Sequence, residues 1–148
     1  MMSLQELSDR REIDDLLIRY CHAIDTHDWD LLDTVFMPDS VIDYTVFGGP
    51  RGRYPEIREF LADSLPRQAH SQHVISTSRV LLDGDRATAS TICTNPMGFP
   101  QPDGSVFHTT YHLWYIDEIV RTPAGWRLAA RTEKVSHQDN PPPPAPGG

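Results

Sequence analysis

The 148-residue chain has little cysteine: Cys21 and Cys93 alone. Their spacing fits neither a disulfide framework nor a metal knuckle. Both thiols are expected as small core residues of a protein at home in the reducing cytoplasm. Basic patches are also lacking. Lys and Arg total 13 against 21 Asp and Glu, for a formal net charge of -8 and a pI near 5.2. Scattered cations on an acidic chain leave no footprint for a phosphate backbone, which excludes nucleic acid as an expected partner. No apolar run is long enough to span a membrane, and residues 1–11 carry charges without the apolar stretch and small-residue cleavage site of a signal peptide. No internal repeat, Gly-x-Ser-x-Gly nucleophile elbow or activated cysteine context occurs. Gly48-Gly49-Pro50-Arg51-Gly52 lacks the lysine and hydroxyl residue of a phosphate loop and reads as a surface turn.

What is present is one domain's length of patterned sequence, residues 1–138, followed by a Pro/Gly-rich stretch, 139–148, that cannot build hydrogen-bond ladders or a core and is expected as an extended mobile tail. Ile13, Leu16, Leu17, Tyr20 and Ile24 recur at helical spacing, predicting an amphipathic helix over 4–25. Asp25 lies roughly 110° from the centre of that stripe, at the edge of the buried face. It also sits near a helix C-terminus, where the macrodipole disfavours an anion. Asp28 is the expected N-cap of a second short helix carrying Trp29, Leu32, Val35 and Phe36. Residues 41–47 read as a strand, and Pro55 opens a third helix running to Leu65. Two long hairpins follow, 72–82 with 86–95 and 105–121 with 126–137, joined by a proline-rich connection over 96–104. Three helices and then a paired antiparallel sheet give an α+β pattern, in which a curved sheet wrapped on the helices would enclose a cone-shaped pocket.

Seven histidines invite a metal reading, but their spacing does not support one. His108 and His112 would share a strand face about 13 Å apart, too far to chelate one ion. His70 and His73 would point to opposite faces, and no helical His-x-x-x-His with a glutamate occurs. The expectation is no metal and no cofactor. Acid-base chemistry remains. Asp25 and His73, with Tyr20 upstream of the acid and Tyr44 on the first strand, could remove a proton and protonate a leaving group unaided. His22 and His27 are expected to face water, and His108, His112 and Trp114 to line or back the pocket.

Tyr20 to Trp29, Ile42-Asp43-Tyr44, Gln72-His73-Val74-Ile75, Leu113-Trp114-Tyr115 and Gly125-Trp126-Arg127-Leu128 resemble the SnoaL-like division of the NTF2-like superfamily across residues 4–137. The resemblance is to its eliminating enzymes, scytalone dehydratase, hexachlorocyclohexane dehydrochlorinase and bile-acid 7α-dehydratase. It implies a cone-shaped sheet around three N-terminal helices, with Asp25 as the acid of a dyad, His73 as the base, and Tyr44 and Tyr20 as the tyrosines that hold a carbonyl or a departing hydroxyl. Arg131 matches the arginine of the last strand, within a residue or two of register. Phe99 at the pocket rim joins Trp114, His108 and Arg131 as an expected substrate contact. The chain departs from the scytalone enzyme at Thr94-Asn95-Pro96, where that enzyme has a second histidine, and at Thr109 and Tyr111, where it has a Ser/Asn pair. The resemblance implies a cofactor-independent dehydratase-type lyase acting on a hydrophobic cyclic, polyketide- or steroid-like molecule, in a homo-oligomer, trimer or dimer. An isomerase or cyclase of the ketosteroid-isomerase type, and a non-catalytic binding or assembly module, stay open as alternatives.

Overall fold

Ser3 begins the first helix by accepting a hydrogen bond from the Glu6 amide (3.2 Å) while the Glu6 carboxylate accepts from the Ser3 amide (2.6 Å), a reciprocal cap that satisfies two otherwise orphaned donors. The computed structural model describes residues 1–143. Helix α1, Leu4–Thr26, buries the predicted stripe of Ile13, Leu16, Leu17, Tyr20 and Ile24, and Ala23 with it. It stops where His27 turns left-handed, φ 56°. Helix α2, Trp29–Leu32, is capped by the Asp28 carboxylate, which accepts from the Leu31 amide, but it lasts a single turn. Phe36, expected on that helix, already belongs to strand β1, Phe36–Asp43.

β1 also ends earlier than expected. The Asp43 carboxylate accepts from the amide and hydroxyl of Thr45, which turns the chain into a short 3-10 segment, Thr45–Phe47, where a strand was predicted. Strand β2, Arg51–Arg53, leads into α3, Tyr54–Ser64, with Pro55 in its first turn, and a second 3-10 turn, Leu65–Arg67. The remaining strands are β3, His70–Ser71; β4, Val74–Asp83; β5, Arg86–Pro100; β6, Val106–Thr122; and β7, Gly125–Asp139.

The sheet runs β2-β1-β7-β6-β5-β3, with β4 also paired to β5. All pairs are antiparallel except β1 with β7, which run parallel with Ile42 opposite Arg131. That parallel pair, closed between distant parts of the chain, has no signature in local periodicity. Together with the curved sheet, α1 and α3 make the expected α+β cone.

The proline-rich connection is largely strand. Residues 96–100 stay in register with β6 to Pro100 opposite Val106, and the turn is confined to 101–105. The carbonyls of Pro96 and Gly98 accept from Gln72 and Ala69, so this parity of β5 faces β3 rather than β6. The missing proline N–H groups therefore fall where the ladder is interrupted or has ended, and they break no bond to β6. At the other end, Asp139 is the last residue of β7, opposite Thr110, and Asn140 donates to the His108 carbonyl, so the chain is still held where a tail was expected. Residues 144–148 of that stretch lie outside the described residues. No helix among the described residues is long and apolar enough to cross a membrane.

Candidate active site

Asp25 stands in the last turn of α1, and His73 in the break between β3 and β4. One carboxylate oxygen of Asp25 lies 2.7 Å from His73 Nδ1, and the His73 backbone amide donates to the other at 2.9 Å. An ionised carboxylate only accepts, so the hydrogen sits on Nδ1 and Nε2 keeps its lone pair. The amide contact does more than fix the ring. It satisfies an anion that the helix terminus would otherwise destabilise, and explains why an edge-of-stripe aspartate is turned inward.

His73 is one wall of a cavity of about 520 Å³. Tyr20 and Tyr44 line it too, with their hydroxyls 2.9 Å apart. The Tyr20 ring meets the His73 ring edge-on, centroids 6.0 Å apart. Burial pushes the Tyr20 hydroxyl up to about 12 and the Tyr44 hydroxyl well above its ordinary value, so both phenols are proton-bearing donors at neutral pH. Tyr44 is presented by a close turn in which its carbonyl accepts from Gly49. A Cβ on Gly49 would stand 2.9 Å from both the Cβ and the carbonyl oxygen of Tyr44, which is why the position is glycine. Phe99, Met97, Leu113 and Phe60 supply apolar wall, and Asn95 occupies the strand segment where the second histidine of the scytalone enzyme would fall. The Asn95 amide nitrogen donates to the Gln72 carbonyl at 2.8 Å, which pins the segment that leads to His73.

Three expected contacts stand elsewhere. On β6 the inward positions are odd-numbered, Leu113, Tyr115 and Asp117 among them, so Trp114 takes the outer face, with the Lys134 ammonium 5.7 Å from its ring. His108 shares that outer parity and stacks on His70, Nδ1 to Nε2 2.9 Å. Period-2 alternation allows only every second residue of an aromatic strand into the pocket, and Tyr111 lines it in their place. Arg131 is inward but lies beneath the cavity floor and is 1% exposed. Its guanidinium packs 4.1 Å from the Tyr20 centroid and 3.9 Å from that of Tyr115, and makes a bidentate pair with Asp117 at 2.7 and 2.8 Å. It supports the tyrosine from behind. His22 and His27 are exposed, as expected.

Two features escaped the sequence reading. Glu133 lines the cavity two residues beyond Arg131, and its removal from water pushes the carboxyl up to about 8 despite the nearby guanidinium. A β-bulge between Leu128 and Ala130, opposite Glu118 and Ile119, resets the parity of β7, so counting from Trp126 puts Glu133 on the wrong face. The second is a cross-strand cluster of His112, His137 and Asp139, the one group with ligand-like spacing among the described residues. No spacing along a single strand carries it, because the histidines pair across β6 and β7. Its imidazoles stack at 4.0 Å with planes 7° apart, so their lone pairs run side by side rather than converge, and His112 Nε2 is already 2.8 Å from Asp139.

Comparison with known proteins agrees with this architecture. A family model described as a SnoaL-like domain matches residues 5–132. An uncharacterized protein of Mycobacterium tuberculosis is 44% identical over 138 residues, covering 93% of this chain and 92% of that one. Among solved structures, a protein of Novosphingobium aromaticivorans provisionally assigned as an aromatic ring hydroxylase is 30% identical, with a TM-score of 0.77 over 87% of this chain and 90% of that one. A second protein of that organism, provisionally assigned as a scytalone dehydratase, is 13% identical at a TM-score of 0.81, over 94% and 91% of the two chains. A type 2 hexachlorocyclohexane dehydrochlorinase is 17% identical at 0.79, over 98% of both. The last two likenesses are of fold. With helices, sheet and family model in agreement over nearly the whole described chain, the protein belongs to the SnoaL-like domain family, on an NTF2-like fold.

Proposed function

We propose that the protein is a cofactor-independent lyase that eliminates water from a hydrophobic cyclic molecule bearing a carbonyl. The observation that carries this reading is the Asp25–His73 pair, with a free ring nitrogen on a largely apolar cavity and two neutral phenols beside it. His73 Nε2 removes the proton next to the carbonyl, and Asp25 stabilises the imidazolium that results. The Tyr20–Tyr44 pair donates to the oxygen on which negative charge develops. The enolate then expels the hydroxyl from the β-carbon, a C=C bond forms, and the imidazolium proton returns to solvent. The cavity has room for a small polycyclic ligand. A dehydratase-type and a dehydrochlorinase fold relative are in keeping with elimination. We also infer a homo-oligomer, dimer or trimer, as the resemblance implies.

3-Hydroxy-1-tetralone is a suitable probe, because loss of water converts it to fluorescent 1-naphthol. 1-Tetralone lacks the leaving group and reports proton abstraction alone, as hydrogen exchange in heavy water. His73→Ala or Asp25→Asn is expected to slow both by on the order of 100-fold or more. Variants that exchange and eliminate as fast as wild type would overturn the assignment. Retained mass in a rearranged product would indicate isomerisation instead.

A further inference from the structure

The proposed elimination leaves one cavity group without a task. Glu133 projects from β7 on the same inward face as Arg131, opposite Tyr115, and forms part of the wall shared by His73 and Tyr44. Among the described residues no hydrogen bond accounts for its carboxyl, whose surroundings act on it through loss of water and through the charges of Arg131 and Asp43. The groups facing it from neighbouring elements are Tyr20 on α1, Tyr44 after β1, Cys93 on β5, Tyr111 and Tyr115 on β6, and Arg131 on its own strand; the tyrosines and the thiol all feel its charge. None of them neutralises it. Arg131 spends Nε and Nη2 on Asp117, and its buried Nη1 makes no hydrogen bond to Glu133, so its charge offsets the loss of water only in part; Asp43 has the same sign as Glu133. A carboxyl largely withdrawn from water and without a hydrogen bond beside a cavity favours its neutral form, and a neutral carboxyl is a proton donor. Its place at an inward position of the cavity wall costs folding free energy that a leucine there would not, a local conflict that a site tolerates and a core does not.

We propose that Glu133 is the general acid of the site, protonating the departing oxygen while His73 removes the proton from carbon. The inference rests on the elimination reading above. In the step, the C–H pair becomes the new C=C bond, the C–O pair leaves with the oxygen, and the Glu133 proton completes a water molecule. The turnover ends with His73 as imidazolium and Glu133 as carboxylate, and transfer of one proton between them through solvent restores both. The tyrosine pair is then left to hold the carbonyl oxygen. Acid and base are thus separate groups, so the leaving oxygen can be protonated without the imidazolium first giving up its proton.

The test uses the full chain in two arms. In the first, Glu side chains of the wild-type protein are 13C-labelled and titrated by NMR, with the Glu133 signal assigned by its loss in Glu133→Gln or, should that variant not fold, Glu133→Asp. A Glu133 midpoint far above those of the other glutamates is expected; titration in their ordinary range overturns the proposal. In the second, 3-hydroxy-1-tetralone elimination and 1-tetralone exchange are compared in wild type and Glu133→Gln. Elimination is expected to fall on the order of 100-fold further than exchange, with loss of the alkaline limb of the elimination pH profile. Equal losses in both reactions, as a structural role would give, or undiminished elimination, overturn it. Wild-type elimination that Glu133→Gln leaves undiminished sinks the acid role alone; wild-type exchange without elimination sinks the elimination reading with it, and absence of exchange as well sinks the His73 base beneath both.

Discussion

Glu133→Gln should make this protein more stable in alkali than its parent, and by a predictable amount. The carboxyl titrates near 4.5 in the unfolded chain and is raised to about 8 in the fold, chiefly by loss of water. At about 1.36 kcal/mol for each tenfold change in proton affinity, that difference corresponds to about 4 to 5 kcal/mol, and partial contact with water in the cavity brings the expected value nearer 3. The sign follows from which state holds the proton. Below 4.5 both states are protonated and the native preference is present in full. As pH rises toward 8 the unfolded chain releases its proton while the native site keeps it, and stability declines across that window. Glutamine has the same shape and cannot ionise. The assay is urea unfolding of both proteins at a series of pH values, plotted as the difference between them so that every other titrating group cancels. The difference should favour the variant increasingly from 4.5 to 8 and then level. A difference that stays flat through this window would refute the argument, since it would mean that the native carboxyl titrates like any exposed glutamate.

Two further predictions concern buried charge. Asp117→Asn leaves the guanidinium of Arg131 without its anion between two phenol rings, and should cost about 3 to 5 kcal/mol in chemical denaturation, with proton exchange impaired through the loosened Tyr20. Asp9 is held by the Arg121 guanidinium at 2.8 Å, with Gln5 and Trp126 adding bonds, and its carboxyl is lowered from 3.8 to about 2. Its contribution is therefore present above 3.8 and lost as pH falls toward 2, so Asp9→Asn should be less stable at neutral pH and show a flatter acid limb, read by circular dichroism.

The dyad was legible because its residues sit in recognisable local strings: a tyrosine five positions before an aspartate at a helix end, and Gln-His-Val-Ile opening a strand. Periodicity alone placed Asp25 at the margin, and the bond that draws it in comes from a backbone amide far along the chain. Trp114 and His108 were misplaced because alternation requires a register, and a register is set by pairing with distant strands. Glu133 was hidden by the bulge after Leu128, which changes the face of the β7 residues from Ala130 to Val135, where a second bulge resets it. Proline in 96–100 spoke for a loop until the edge of the sheet to which it turns was known.

The amide of His73 that binds Asp25 has a consequence for selectivity. Because the same carboxylate fastens both the ring and the main chain that carries it, the proposed acid-base pair is assembled by the fold itself. On the proposed mechanism a ligand would spend none of its binding energy on bringing acid and imidazole together, and a poor ligand would meet the same arrangement as a good one. Discrimination by induced assembly is therefore closed to this site. Choice among substrates falls to the walls: the turn bearing Phe47 and Gly49, the end of α3, and the β5 segment carrying Met97 and Phe99. Relatives that keep the dyad and change those three walls should share a reaction and differ in what they accept.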